Sequence, residues 1–156
     1  MAQFRKDMDE ETANAVAGEL HSQTKQTFEK IVETDWRLTQ HNFLVNAGGS
    51  AAVLAYLGTS SSSKFAIWSL VCFLVGIIAS GVEIRALLAI YSGLRKDAGD
   101  RLNGFMNNKI AAESAVPDRN VAKVPSQINH WAGWVSQISF VLGVVVGLFL
   151  FFCYAP

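Results

Sequence analysis

The sequence predicts an all-α fold, a polytopic integral membrane protein with three transmembrane helices and extended cytoplasmic amphipathic helices. Three observations carry that expectation. Of 156 residues, 51% are hydrophobic and only 17% charged, and the mean hydropathy of +0.25 is positive where soluble domains usually fall below zero. The charges crowd residues 1–41 and 95–123 and nearly vanish between and after them, as in a chain that enters and leaves a bilayer. Three apolar runs, about 43–59, 65–86 and 131–154, are each close to or above the roughly 20 residues that cross a hydrocarbon core.

Residues 1–41 read as a cytoplasmic amphipathic helix. Val16, Leu20, Phe28, Ile31, Val32 and Leu38 recur near helical steps, and Glu19, Lys25, Glu29, Lys30 and Glu33 fill the other face. No proline or glycine separates this helix from the run at Phe43, so one continuous helix from about Glu10 to Tyr56 is expected. The run 43–59 is crowded with Ala47, Gly48, Gly49, Ser50, Ala51, Ala52 and Ala55. Small residues let helix backbones approach closely, so this span is expected to pack among others.

Ser60–Lys64 is a Ser-rich link suited to an antiparallel hairpin, and residues 42–94 form that hairpin. The second run, Phe65–Leu94, is longer than a span needs and should continue as a cytoplasmic helix through Leu102, Phe105 and Ile110, weakened by Gly93, Gly99 and Gly104 and ended by Pro117. Residues 95–129 thus hold a cytoplasmic helix and a returning loop, with Pro117 and Pro125 among polar residues. Residues 130–156 form the third transmembrane helix, uncharged and opened by Trp131 and Trp134.

Positive charge sets the expected topology. Arg5, Lys6, Lys25, Lys30 and Arg37 precede the first run, Lys64 alone lies in the first link, and Arg95, Lys96, Arg101, Lys109, Arg119 and Lys123 follow the second. The rich sides face the cytoplasm, which places the N-terminus inside and the C-terminus outside; were the first run to lie in the interface because of its small residues, the C-terminus would be inside. Met1–Leu20 has no apolar core of the kind a cleavable export signal needs.

Asn42, Asn46 and Ser50 fall at steps of four and share one helical face, either lining a lumen or bonding a neighbouring helix. Glu83 and Arg85 are the ionisable residues inside an apolar run; they can act as a gate or inner mouth, or anchor at the interface. Gly48, Gly49, Gly76, Ser80, Ser139, Gly143 and Gly147, with Cys72 and Ser136 on the same lines, mark helix-packing seams. Three such seams exceed what one hairpin plus one helix needs, and point to a homo-oligomer.

Several classes are excluded or disfavoured. A net charge of zero provides no basic field for nucleic acid. Cys72 and Cys153 read as small apolar residues, although a bridge between them is geometrically allowed. His21, His41 and His130 lie outside the spans, where they cannot face each other as haem ligands at depth. No phosphate-binding glycine loop, zinc motif or nucleophile–base pair is present, so neither a metal, a cofactor nor an enzymatic activity is expected.

The segment from Asn46 through Gly48, Gly49 and Ser50 to Gly58 resembles the Asn-x-Gly-Gly first span of many small, uncharacterised bacterial membrane proteins. The layout of a charged helix leading into a tight hairpin and a second cytoplasmic helix is similar to the SLATT-type membrane effectors of anti-phage systems. That resemblance implies a bacterial inner-membrane location and a pore-forming or membrane-perturbing effector. The residues alone equally allow an accessory or scaffold subunit whose cytoplasmic helices hold a protein partner while the spans anchor it in the lipid bilayer.

Overall fold

A computed structural model describes residues 4–59, 64–115 and 119–154. The described residues are all-helical, with three long helices: α1 (Glu10–Thr59), α2 (Lys64–Met106) and α3 (Lys123–Tyr154). Short 3₁₀ turns at Arg5–Asp7, Ala112–Ala115 and Arg119–Ala122 complete the order. The expected hairpin turn at residues 60–63 and the expected stop at Pro117 lie outside the described residues.

Asp9 starts α1. Its carboxylate accepts the Thr12 backbone N–H at 2.7 Å and the Thr12 hydroxyl at 2.9 Å, satisfying donors that a helix start leaves open. The Thr12 backbone bond, then the Thr12 hydroxyl, hold the Asp9 pKa below its ordinary value of 3.8. Glu10 and Glu11 in the first turn suit the positive end of the helix dipole. Near the middle of α1, partial burial raises the Asp35 pKa.

The end of α2 corrects the expectation that it would run through Ile110. Asn108 takes the left-handed conformation (φ 57°). Its N–H bonds the Phe105 carbonyl at 3.0 Å, and the Lys109 N–H bonds the Gly104 carbonyl at 2.8 Å. These two bonds form a Schellman stop, and Asn is one of the few non-glycine residues that adopts this backbone readily. Ile110 folds back over Gly104, where an added Cβ would lie 3.3 Å from the Ile110 side chain. Arg5 donates to the Met106 carbonyl at 2.9 Å, satisfying another acceptor at this end. Arg101 bonds Asp97 at 2.8 Å and the Ser114 carbonyl at 3.0 Å, tying the following 3₁₀ turn to α2.

The start of α3 is a second correction. Pro125, expected in a loop, sits in the first helical turn, where its missing N–H costs no intrahelical bond.

The chain divides into two units. The charged unit comprises residues 1–35 and 87–126, and the apolar unit residues 36–86 and 127–156. In the charged unit, Ile90, Leu94 and Ala122 pack together with half-buried Phe28, and Phe105 is fully buried. Two helices, α2 and α3, contain stretches long and apolar enough to cross a membrane, and only 33% and 22% of those stretches are buried. Among the described residues, the first run, diluted by Asn46, Ser50 and its glycines, falls short of that hydropathy.

Candidate functional site

The apolar unit inverts the usual arrangement of polar and apolar residues. Its interior holds Thr39, Asn42, Asn46, Ser69, Ser80, Glu83 and Ser136, all buried. Its surface carries Leu44, Trp68, Ile78, Trp131, Val141 and Phe149, all exposed. In water that surface would be unfavourable at every residue, whereas among lipid tails it costs nothing and the polar groups must find partners inside.

Helix periodicity places these polar residues together. On α2 the inward positions are Ser69, Phe73, Gly76, Ser80 and Glu83, alternating steps of four and three. On α3 they are Ala132, Ser136, Ser139 and Gly143, with the same alternation. A mean step of about 3.5 keeps one face of a long helix directed at its neighbours.

Ser136 is the meeting point of the three helices. Asn46 donates from Nδ2 to the Ser136 hydroxyl at 3.1 Å, to the Ser136 carbonyl at 3.3 Å and to the Asn42 carbonyl at 2.8 Å. The Ser136 and Ser80 hydroxyls lie 2.9 Å apart, and both are within reach of the Gly76 carbonyl, at 3.1 and 3.0 Å. Each hydroxyl has one proton, so one donates to Gly76 and the other to its hydroxyl partner, and either assignment satisfies both. One turn further along, Asn42 donates to Glu83 Oε2 at 3.3 Å. At the other end, Ser69 donates to the Gly143 carbonyl at 2.7 Å. Among the described residues, the buried Asn46 Oδ1, Ser50 Oγ and Asn129 Oδ1 have no hydrogen-bond partner.

Glycines make this proximity sterically possible. A Cβ at Gly76 would overlap the Asn46 carboxamide, and a Cβ at Gly49 would overlap the Phe73 ring. At Gly143 a Cβ would stand 2.8 Å from the same ring, and at Gly133 it would stand 3.1 Å from the Glu83 carboxylate. Phe73 therefore sits between a glycine of α1 and a glycine of α3, with Phe140 tilted against it at 6.1 Å.

The placement of the expected site residues follows directly. Asn42 bonds Glu83 of α2, Asn46 bonds Ser136 of α3, and Ser50 is buried on the same face of α1. Gly49, Gly76 and Gly143 face side chains of neighbouring helices of the same chain, Ser80 bonds Ser136, and Ser139 is buried. Gly147 borders Ser69, where an added Cβ would be 3.4 Å from the hydroxyl. Gly48 is exposed, and a Cβ there meets no atom of the same chain within 4 Å. Glu83 is buried and Arg85 exposed, as two residues two apart on a helix must diverge. Cys72 is a half-buried free thiol; the Cys153 side of the allowed bridge lies outside the described side chains. His130 accepts the Trp134 indole N–H at 3.2 Å on the exposed face of α3.

Sequence reasoning missed Thr39, Ser69, Phe73 and Gly133. The signal for Ser69 and Phe73 was present in the four-and-three spacing back from Glu83, but steps of four from Ser80 lead to Cys72 instead. Among the described residues, no group of three or more His, Cys, Asp or Glu gathers to hold a metal ion. Comparison with protein-family models, with curated proteins and with solved structures gives no match to this chain.

Proposed function

We propose that this chain is a three-span membrane anchor that holds a helical unit at the cytoplasmic surface, a non-catalytic scaffold subunit and not an open pore. One observation carries the reading. Asn42, Asn46 and Ser50, the stripe that could have lined a lumen, is buried against α2 and α3 of its own chain, leaving lipid-compatible side chains outside. The third span is the α1 segment from Phe43 to Gly58, whose outward residues Phe43, Leu44, Leu54 and Tyr56 are apolar and exposed. The positive charges that crowd residues 1–41 and 95–123 support a cytoplasmic side for both. In a bacterial cell, which the resemblance of the first span implies, the host bilayer is the inner membrane.

A specific observation favours a second reading, a gated pore closed in this arrangement. Asn46 Oδ1 and Ser50 Oγ are buried without partners, which costs about 1–3 kcal/mol each. An opened bundle would hydrate them and recover that energy, so the polar seam is where such a pore would part.

Dye and ion leakage from liposomes carrying the purified protein separates the two. The anchor reading expects leakage no greater than that of an unrelated three-span protein. Leakage above that control, abolished by Asn46→Leu and Ser50→Leu with insertion intact, would overturn the anchor in favour of the pore. Reporter fusions test the topology: one inserted after Gly99 should score cytoplasmic and one after Ser63 external.

A further inference from the structure

The charged unit contains a cleft of about 440 Å³ between α1 and α2, within the usual size range of small-ligand sites. Its apolar lining comes from both helices, with Leu20 and Phe28 on α1 and Ala98 and Leu102 on α2. Cationic side chains line it from both helices, Lys25 on α1 and Arg95 on α2, with the imidazole of His21 beside them. Lys25 is only loosely engaged, 3.9 Å from Glu29, with both side chains about two-thirds exposed (67% and 64%). Arg95 makes no hydrogen bond or ion pair among the described residues.

Such a cleft suits a ligand with two chemically different ends. The cleft is lined by a cation from each helix, and a guanidinium such as that of Arg95 matches phosphate oxygens with a fork of donors while Lys25 supplies a point charge. Phe28 and Tyr91, one from each helix, add aromatic side chains to the lining, which suits a planar ring. Thr24 and Glu29 add a hydroxyl and an acceptor for a ligand's own hydroxyl or amino group. The cavity is too small for a pair of acyl chains.

We propose that this cleft binds a soluble, mononucleotide-sized phosphate ester, its phosphate held between Lys25 and Arg95 and its ring against Phe28 and Tyr91. The site lies wholly within the charged unit and stands independently of whether the apolar unit anchors or conducts.

The test is calorimetric titration of the full chain in phosphatidylcholine nanodiscs with AMP and with UMP. Saturable one-to-one binding is expected, with inorganic phosphate about tenfold weaker or worse because it lacks the ring. Arg95→Gln should weaken binding about tenfold or more. Gly99→Leu should abolish it by filling the cleft, and this variant should fold normally because a Cβ at Gly99 meets no atom within 4 Å; circular dichroism verifies the fold. Absence of binding by both nucleotides, or binding unchanged in both variants, overturns the proposal. Inorganic phosphate binding as tightly as AMP overturns the role of the ring. Loss of nucleotide binding in nanodiscs containing phosphatidylglycerol would identify a lipid headgroup as the occupant and overturn the soluble source.

Discussion

The apolar and charged units are built on the same helices yet have opposite insides. Along α2 the buried face reads Ser69, Phe73, Gly76, Ser80 and Glu83, and then, with no break in spacing, Leu87, Ile90 and Leu94. The outward residues change in the reverse sense, from Ile78 and Val82 to Arg95 and Lys96. On the buried face the switch takes one helical turn, between Glu83 and Leu87. Backbone geometry and packing period are common to both units; what differs is which residue type the surroundings accept, and that alone reverses the pattern. Under the proposed membrane reading, a buried serine in one unit and a buried leucine in the other are the same solution in two solvents.

The sharpest way to break this comparison is by volume. Gly76→Leu drives a side chain into the Asn46 carboxamide and should cost about 3 kcal/mol, whereas Gly48→Leu enters open space and should cost about zero. Reversible unfolding in detergent micelles measures both, and equal costs would refute the intrachain packing of the polar seam. Loss of self-association in Gly48→Leu, without loss of stability, would seat a second copy on that outward face.

A pair of truncations sharpens the contrast in polarity. Leu94→Ala removes a buried branched side chain from the charged unit and should cost about 2–3 kcal/mol. Ser80→Ala removes a hydroxyl from the network of the apolar unit and should cost about 0.6 kcal/mol, the average for interhelical hydrogen bonds in membranes. The same unfolding assay applies; a larger loss for Ser80→Ala would mean that hydrogen bonding, not close packing, holds the apolar unit.

The smallest effect is electrostatic and confined to the charged unit. The lowered pKa of Asp9 means that its contribution to stability is present above 3.8 and is lost as pH falls through the lowered value. Asp35 runs the other way: burial raises its pKa, so its favourable state is the protonated one and is lost as pH rises through the raised value. Acid titration of helicity by circular dichroism should show a limb that disappears in Asp9→Ala and persists in Asp35→Asn.

Much of this architecture is legible in the residues. Uninterrupted helical sequence from Glu10 into the first apolar run leads directly to α1, and the uncharged run opened by Trp131 and Trp134 leads to the core of α3. The stop at Asn108 was not legible, because a left-handed Asn carries no stronger mark than Pro117 nine residues on. Pro125 misled for the opposite reason: a proline breaks a helix interior but is tolerated in a first turn. The small-residue seams were visible, yet whether Gly143 meets its own chain or another depends on Phe73, a residue that looks like ordinary lipid-facing bulk. The convergence of Asn46, Ser80 and Ser136 requires three helices in register, which no single stretch of sequence encodes.

Phe73 also makes the apolar unit self-reporting. Its ring is held between Gly49 and Gly143 and can turn about its axis only when α1 and α3 draw apart for an instant. The two edges of a ¹³C-labelled Phe73 ring exchange at the frequency of that breathing, so their NMR line shapes time how often the bundle loosens in a living bilayer, with no ligand, current or partner needed to see it.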